Sequence, residues 1–247
     1  MDLNAPGVKR ELNDIIVADL VLSLAFDFAL MGGAAAAFAV LPTFLYLFPM
    51  TFFAVSLAFI LHEMMHKFTA QRFGAIAGFR KSSTGVLITL ITGFFGFLIG
   101  IPGATVIFTD QFTTKESGIV SLAGPMTNFA IFIAFYILGS VLFPANFTSQ
   151  ILNVLSIAAH PAGPYLLNVI DLTLFISILL AFFNMLPIQP LDGSKVLHWS
   201  TPVYVVTIAV IFIMLAQILP LGTIFFSLVF MLAIALFISF MYRGFAI

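Results

Sequence analysis

The chain has 247 residues, 62% of them hydrophobic and only 8% charged, with a mean hydropathy of +1.20. A soluble domain carries about 25% charged residues, so there is too little polar surface here to coat a water-facing globule, and lipid is the expected solvent. A net charge of −1 shows no bias toward nucleic acid, and the absence of cysteine excludes disulfides, thiolate metal sites and cysteine nucleophiles.

Residues 1–14 are polar and lack the apolar core and cleavage site of a signal peptide. A span of the hydrocarbon layer needs about 20 apolar residues. In chain order, spans are expected at 16–40, 43–70, 119–143, 166–187, 203–219 and 221–242. Between the second and third lies 86–108, apolar but interrupted by Gly93, Gly96, Gly100, Pro102 and Gly103. Glycine weakens helices and Pro–Gly marks turns, so this stretch is read as a re-entrant hairpin. The expected fold is an all-α polytopic membrane protein of six transmembrane helices. It forms a single domain over 1–247 with its core at about 43–200, and no PDZ-like or nucleotide-sensing domain.

The basic residues test that topology, because Lys and Arg gather on the cytoplasmic side. They are Lys9, Arg10, Lys67, Arg72, Arg80, Lys81, Lys115, Lys195 and Arg243. With the N-terminus inside, six crossings and a hairpin that enters and leaves by one face, all nine fall at or near the cytoplasmic face. A full crossing by 86–108 would move Lys115, Lys195 and Arg243 outside. The re-entrant topology fits better and leaves both termini cytoplasmic.

The second span ends in His62-Glu63-Met64-Met65-His66. Histidines at i and i+4 share a helical face, so two imidazoles can hold one zinc. Glu63 can reach a water there and act as the base that activates it. A charged triplet deep in an apolar helix is expensive unless it is used. A catalytic zinc typically has three protein ligands. Thr69 and Arg72 rule out an extended three-histidine motif, and a downstream glutamate would have to be Glu116. Asp192 is the stronger candidate, in Asn184-Met185-Leu186-Pro187-Ile188-Gln189-Pro190-Leu191-Asp192-Gly193, where two prolines end the helix and can aim a carboxylate inward. Only the six-crossing topology brings Asp192 to the same face as His62 and His66. From His62 to Arg72 the helix rises about 15 Å, which puts the site well below the lipid surface.

Together these residues resemble the site-2 protease family of intramembrane metalloproteases. The resemblance rests on HEMMH at 62–66, AGPMTN at 123–128 and NMLPIQPLDG at 184–193, in the family's order and spacing. It implies that His62, His66 and Asp192 bind one zinc ion and that Glu63 activates water. It also implies that Asn184 contacts the substrate backbone and that Asn128 lies close to the site, and both are taken as candidate substrate-binding residues. Family members cleave transmembrane segments of regulatory proteins or remnant signal peptides near the cytoplasmic face, so the implied partners are such segments and the bilayer. Ser194 stands where the family often has a second glycine. The hairpin resembles the family's membrane-associated one, and its role as a substrate-pairing edge is an expectation only.

Each residue also has a plainer reading. Asn128 among small residues suits one interhelical hydrogen bond, and Asn184 at a helix end suits satisfaction of freed backbone groups. Asp19, Asp27 and Asp171 are acids within or at the edges of spans and receive no catalytic role. His160 and the Asn146-Phe147-Thr148 sequon fall in an outer loop, and His198 beside Trp199 reads as an interfacial anchor. Competing functions are a prenyl-protein-type zinc peptidase using Glu116, a metal transporter, and an inactive homologue that binds membrane segments. Composition fits a multi-pass protein of a prokaryotic plasma membrane.

Overall fold

A computed structural model describes residues 6–108, 112–144, 164–219 and 222. The expected span at 221–242, but for Gly222, lies outside the described residues, as do Arg243, His160 and the sequon at 146–148. The described chain is mostly helical: α1 (Pro6–Leu30), α2 (Ala34–Ala39), α3 (Leu41–Arg72), β1 (Ile76–Lys81), α4 (Ser83–Phe94), β2 (Gly103–Phe108), α5 (Thr114–Leu142), α6 (Tyr165–Asn184), α7 (Asp192–Trp199) and α8 (Thr201–Ala216). Among them α3, α5 and α6 are long and apolar enough to cross a membrane. They correspond to the expected spans at 43–70, 119–143 and 166–187, each displaced by a few residues at its ends. The 16-residue apolar helix α8 covers most of the expected 203–219.

The expected span at 16–40 differs. The helix starts ten residues earlier, at Pro6, and breaks after Leu30 at Gly32 and Gly33, whose φ values of 80° and 112° are natural only for glycine. The early start has an electrostatic reason. Glu11, one turn into α1, accepts Lys67 Nζ at 2.7 and 2.8 Å and the Phe79 amide at 3.0 Å, and Asp14 lies 3.9 Å from Lys81. Polar residues that precede the expected span therefore pin α1 to α3 and β1.

The stretch read as a re-entrant hairpin is helix α4, a turn and strand β2. Its two ends meet. Ser82 N–H donates to Pro102 O at 2.9 Å, and β2 returns antiparallel along β1, from Ile76 opposite Phe108 to Lys81 opposite Gly103. The returning non-helical backbone carries polar groups that apolar surroundings would leave costly, and threonines of α4 take them up. Thr89 Oγ1 donates to Ile99 O at 3.0 Å and accepts from Ile101 N–H at 3.1 Å, and Thr92 Oγ1 accepts from Ile99 N–H at 3.1 Å. α4 packs on α1 at Gly93, where a Cβ would strike the Ala25 backbone.

α3 is the central element, touching α1, α5 and α6. Their shared core includes Leu47, Met50, Ala54, Ala58, Phe132 and Ile178, and it continues to Met185, Leu186 and Val196 at the end where the candidate site sits.

Candidate metal centre

His62 and His66 project from one face of α3, one turn apart, and both are buried, at 4% and 7% relative exposure. Asp192 is the first residue of α7. α7 is folded against the end of α6 so closely that a Cβ on Gly193 would collide with Met185 O. Ser194 bonds its hydroxyl back to Leu191 O at 2.7 Å, which suits the tight turn that a second glycine could also make. The helix end at Asn184, the turn and the start of α7 thus aim Asp192 at the histidines.

The three side chains meet atom to atom. His62 Nε2 lies 3.0 Å from His66 Nε2, and Asp192 Oδ2 lies 3.4 and 3.1 Å from the two nitrogens. Among the described residues this is the one group of three or more potential metal ligands brought together. A tetrahedral ion with bonds of about 2.0–2.1 Å needs donor atoms about 3.3 Å apart, and the observed triangle has that size.

Tautomers sharpen the point. His66 Nδ1 is 2.7 Å from Val120 O. A carbonyl only accepts, so this nitrogen carries the proton, and a neutral His66 turns the Nε2 lone pair inward. His62 Nδ1 faces the buried Asn128 amide, 3.2 Å from Nδ2. With the amide in this orientation Asn128 Oδ1 has no partner among the described residues. A half-turn of the amide, which exchanges two nearly indistinguishable atoms, lets Oδ1 accept from His62 Nδ1–H and removes the orphan. Both imidazoles then point lone pairs at a carboxylate oxygen, an arrangement that repels itself until a cation sits among the three.

Space is kept open by Gly124 of α5. A Cβ there would collide with His66 Nε2 and come within 2.6 Å of His62 Nε2. Beside the triad, Glu63 carries its carboxylate on the adjoining face of α3, where Oε2 accepts from the Thr105 amide at 2.8 Å and the Thr105 hydroxyl at 2.9 Å.

Of the expected site residues, His62, His66 and Asp192 converge, and Glu63 and Asn128 adjoin them. Asn128 is fully buried against His62, which suits orientation of that ring better than contact with a substrate. Asn184 closes α6 and donates to Leu180 O at 2.9 Å, the helix-end role its amide suggests. Glu116, the alternative third ligand, belongs to a capping box. Its carboxylate accepts from Thr113 N–H and Oγ–H at 2.8 and 2.7 Å at the start of α5. Sequence reasoning missed Thr105, which no motif marks, and Gly124, whose signal was present in the small-residue run before Asn128.

Comparison with known proteins gives the same direction. The family model for peptidase family M50 matches residues 50–203. The chain is 33% identical over 194 residues to "Putative zinc metalloprotease MJ0611" of Methanocaldococcus jannaschii, covering 78% of this chain and 85% of that protein. It is 27% identical over 169 residues to "Putative zinc metalloprotease YwhC" of Bacillus subtilis, covering 63% and 71%. No solved structure matches the chain.

Proposed function

The chain belongs to peptidase family M50, the site-2 protease family, and we propose that it is an intramembrane zinc endopeptidase whose metal is held by His62, His66 and Asp192 and whose base is Glu63. The observation that carries this reading is the inward convergence of three acceptor atoms, with Gly124 leaving the room beside them. Two nitrogens and one oxygen suit zinc, the ion in the names of both relatives. When bound, zinc supplies a Lewis acid that polarises a peptide carbonyl and makes water a nucleophile near neutral pH.

The protein's own groups do the rest. Asn128 and Val120 O hold the two imidazoles in the tautomer that faces the ion. Glu63 takes the proton of the attacking water and delivers it to the leaving amine. Asn184, beside the turn that bears Asp192, offers its amide oxygen to the substrate backbone. The site is enclosed by helices with apolar outer faces, so the fitting substrate is a transmembrane segment cut near the cytoplasmic face. Such cleavage serves regulated intramembrane proteolysis or the clearance of signal-peptide remnants.

The same reading gives six crossings, cytoplasmic termini and a re-entrant 86–108 in a prokaryotic plasma membrane. The meeting of Ser82 with Pro102 and the threonine-satisfied return support re-entry. The engagement of Glu116 by Thr113 counts against a prenyl-protein-type peptidase, and the single ligand group among the described residues counts against a transporter path.

The test is cleavage of a helix-destabilised transmembrane substrate in detergent by wild type and Glu63→Ala, with zinc assayed in both. The expected result is cleavage by wild type only, with about one zinc in each. Zinc in both and cleavage by neither, across a broad substrate panel, would favour the inactive homologue that binds membrane segments.

A further inference from the structure

Residues along an antiparallel strand alternate between those whose backbone groups face the partner strand and those whose groups face away. Thr105 stands opposite Phe79, and both amides face away. Phe79 N–H goes to Glu11 and Thr105 N–H to Glu63 Oε2, at 3.0 and 2.8 Å. The hydroxyl of Thr105 lies 2.9 Å from the same Oε2 and 3.0 Å from the Glu63 backbone carbonyl, sharing its proton between them. The ladder phase explains why this residue does so. Ala104 and Val106 turn their amides toward β1, so Thr105 is where β2 presents an amide and a hydroxyl to α3 together.

From this geometry we infer that Thr105 is the positioning residue for Glu63. Two donors fix Oε2, and Oε1 is left as the oxygen that takes the proton. The inference rests on the reading of Glu63 as base. A glutamate on a helix has a stem placed by the backbone and a head free to rotate among many rotamers, only some of them productive. Fixing the head beforehand removes that search from the reaction step. The stem belongs to α3 and the clamp belongs to the hairpin strand, so the base is aligned by both elements. Movement of β2 relative to α3 therefore misaligns the base without touching the histidines.

Thr105→Val keeps the shape and the backbone donor and removes the hydroxyl, while Thr105→Ser keeps both donors. With the full chain in detergent and a transmembrane substrate, Thr105→Val is expected to lose about tenfold in kcat with KM changed by less than about twofold. Bound zinc and the thermal unfolding midpoint should match wild type, and Thr105→Ser should restore most of kcat. Wild-type kcat in Thr105→Val would overturn the inference. So would equal losses in the Val and Ser variants, or loss of zinc in Thr105→Val, since each would make the residue structural. Glu63→Gln separates the two claims. An inactive Glu63→Gln beside a fully active Thr105→Val sinks the role of Thr105 alone, whereas an active Glu63→Gln sinks the base itself.

Discussion

Toward its C-terminal end α3 buries His62, Glu63, His66 and Lys67, and each meets a partner from another element: Asn128, Thr105, Val120 and Glu11. Away from that end, polar groups are buried as deeply but less completely answered. Asp27 takes one hydrogen bond from Thr51, and its Oδ2 has no partner among the described residues. Among the described residues Asp171 has no hydrogen-bond partner for either oxygen, and Asn168 Nδ2 and Ser177 Oγ have none. Residues 171 to 184 of α6 span about 20 Å of helix, so Asp171 lies far from the metal end. A buried group needs partners on every side when its orientation matters, because a half-satisfied network permits several arrangements. The contrast says that orientation is specified at one end of the bundle and left loose at the other.

Substitutions at the two ends should therefore behave differently. Asp192→Ala should have the largest effect, weakening zinc binding by more than about 100-fold and abolishing cleavage, as metal analysis and a peptidase assay would read. Gly124→Ala should come next. Its Cβ enters the space of both Nε2 atoms, so zinc content should fall and stability should drop by about 1–3 kcal/mol. A Gly124→Ala protein with wild-type zinc and stability would show that the histidines do not sit as described. Asn128→Leu should cost about 10–100-fold in zinc affinity through loss of His62 orientation, with the fold kept by circular dichroism. At the loose end, Asp171→Asn should leave zinc and cleavage unchanged and move stability by less than about 1 kcal/mol. A large loss of activity in Asp171→Asn would erase the contrast.

How much of this was legible follows the range of the interactions. His62 and His66 are four residues apart on one helix, so helical geometry alone put them on a common face, with Glu63 on the adjoining one. Asp192 needed a topological argument, which the basic residues supplied. The break at Gly32–Gly33 was visible as two adjacent glycines but hidden by the apolar residues around it, which let a span run through. The N-terminal extension of α1 was not legible, because Glu11 and Asp14 find Lys67 and Lys81 only across the fold. Asn128 was placed near the site by resemblance, and only its burial against His62 separates orientation from substrate contact. Thr105 lies in a run of Ala, Val, Ile and Phe, and its partner is more than forty residues away. Its importance depends on which edge of β2 faces α3, and the sequence of β2 does not state that.

The ligand set of His62, His66 and Asp192 is what every other feature of the site depends on. X-ray absorption at the zinc edge, on wild type and on Asp192→Ala loaded with zinc, reads the atoms around the ion. Two imidazole nitrogens and oxygen at about 2.0–2.1 Å are expected in wild type, with no sulfur. A zinc-poor or altered spectrum is expected in Asp192→Ala. A wild-type protein that binds no zinc, or an Asp192→Ala protein with full zinc and an unchanged spectrum, would contradict this ligand set.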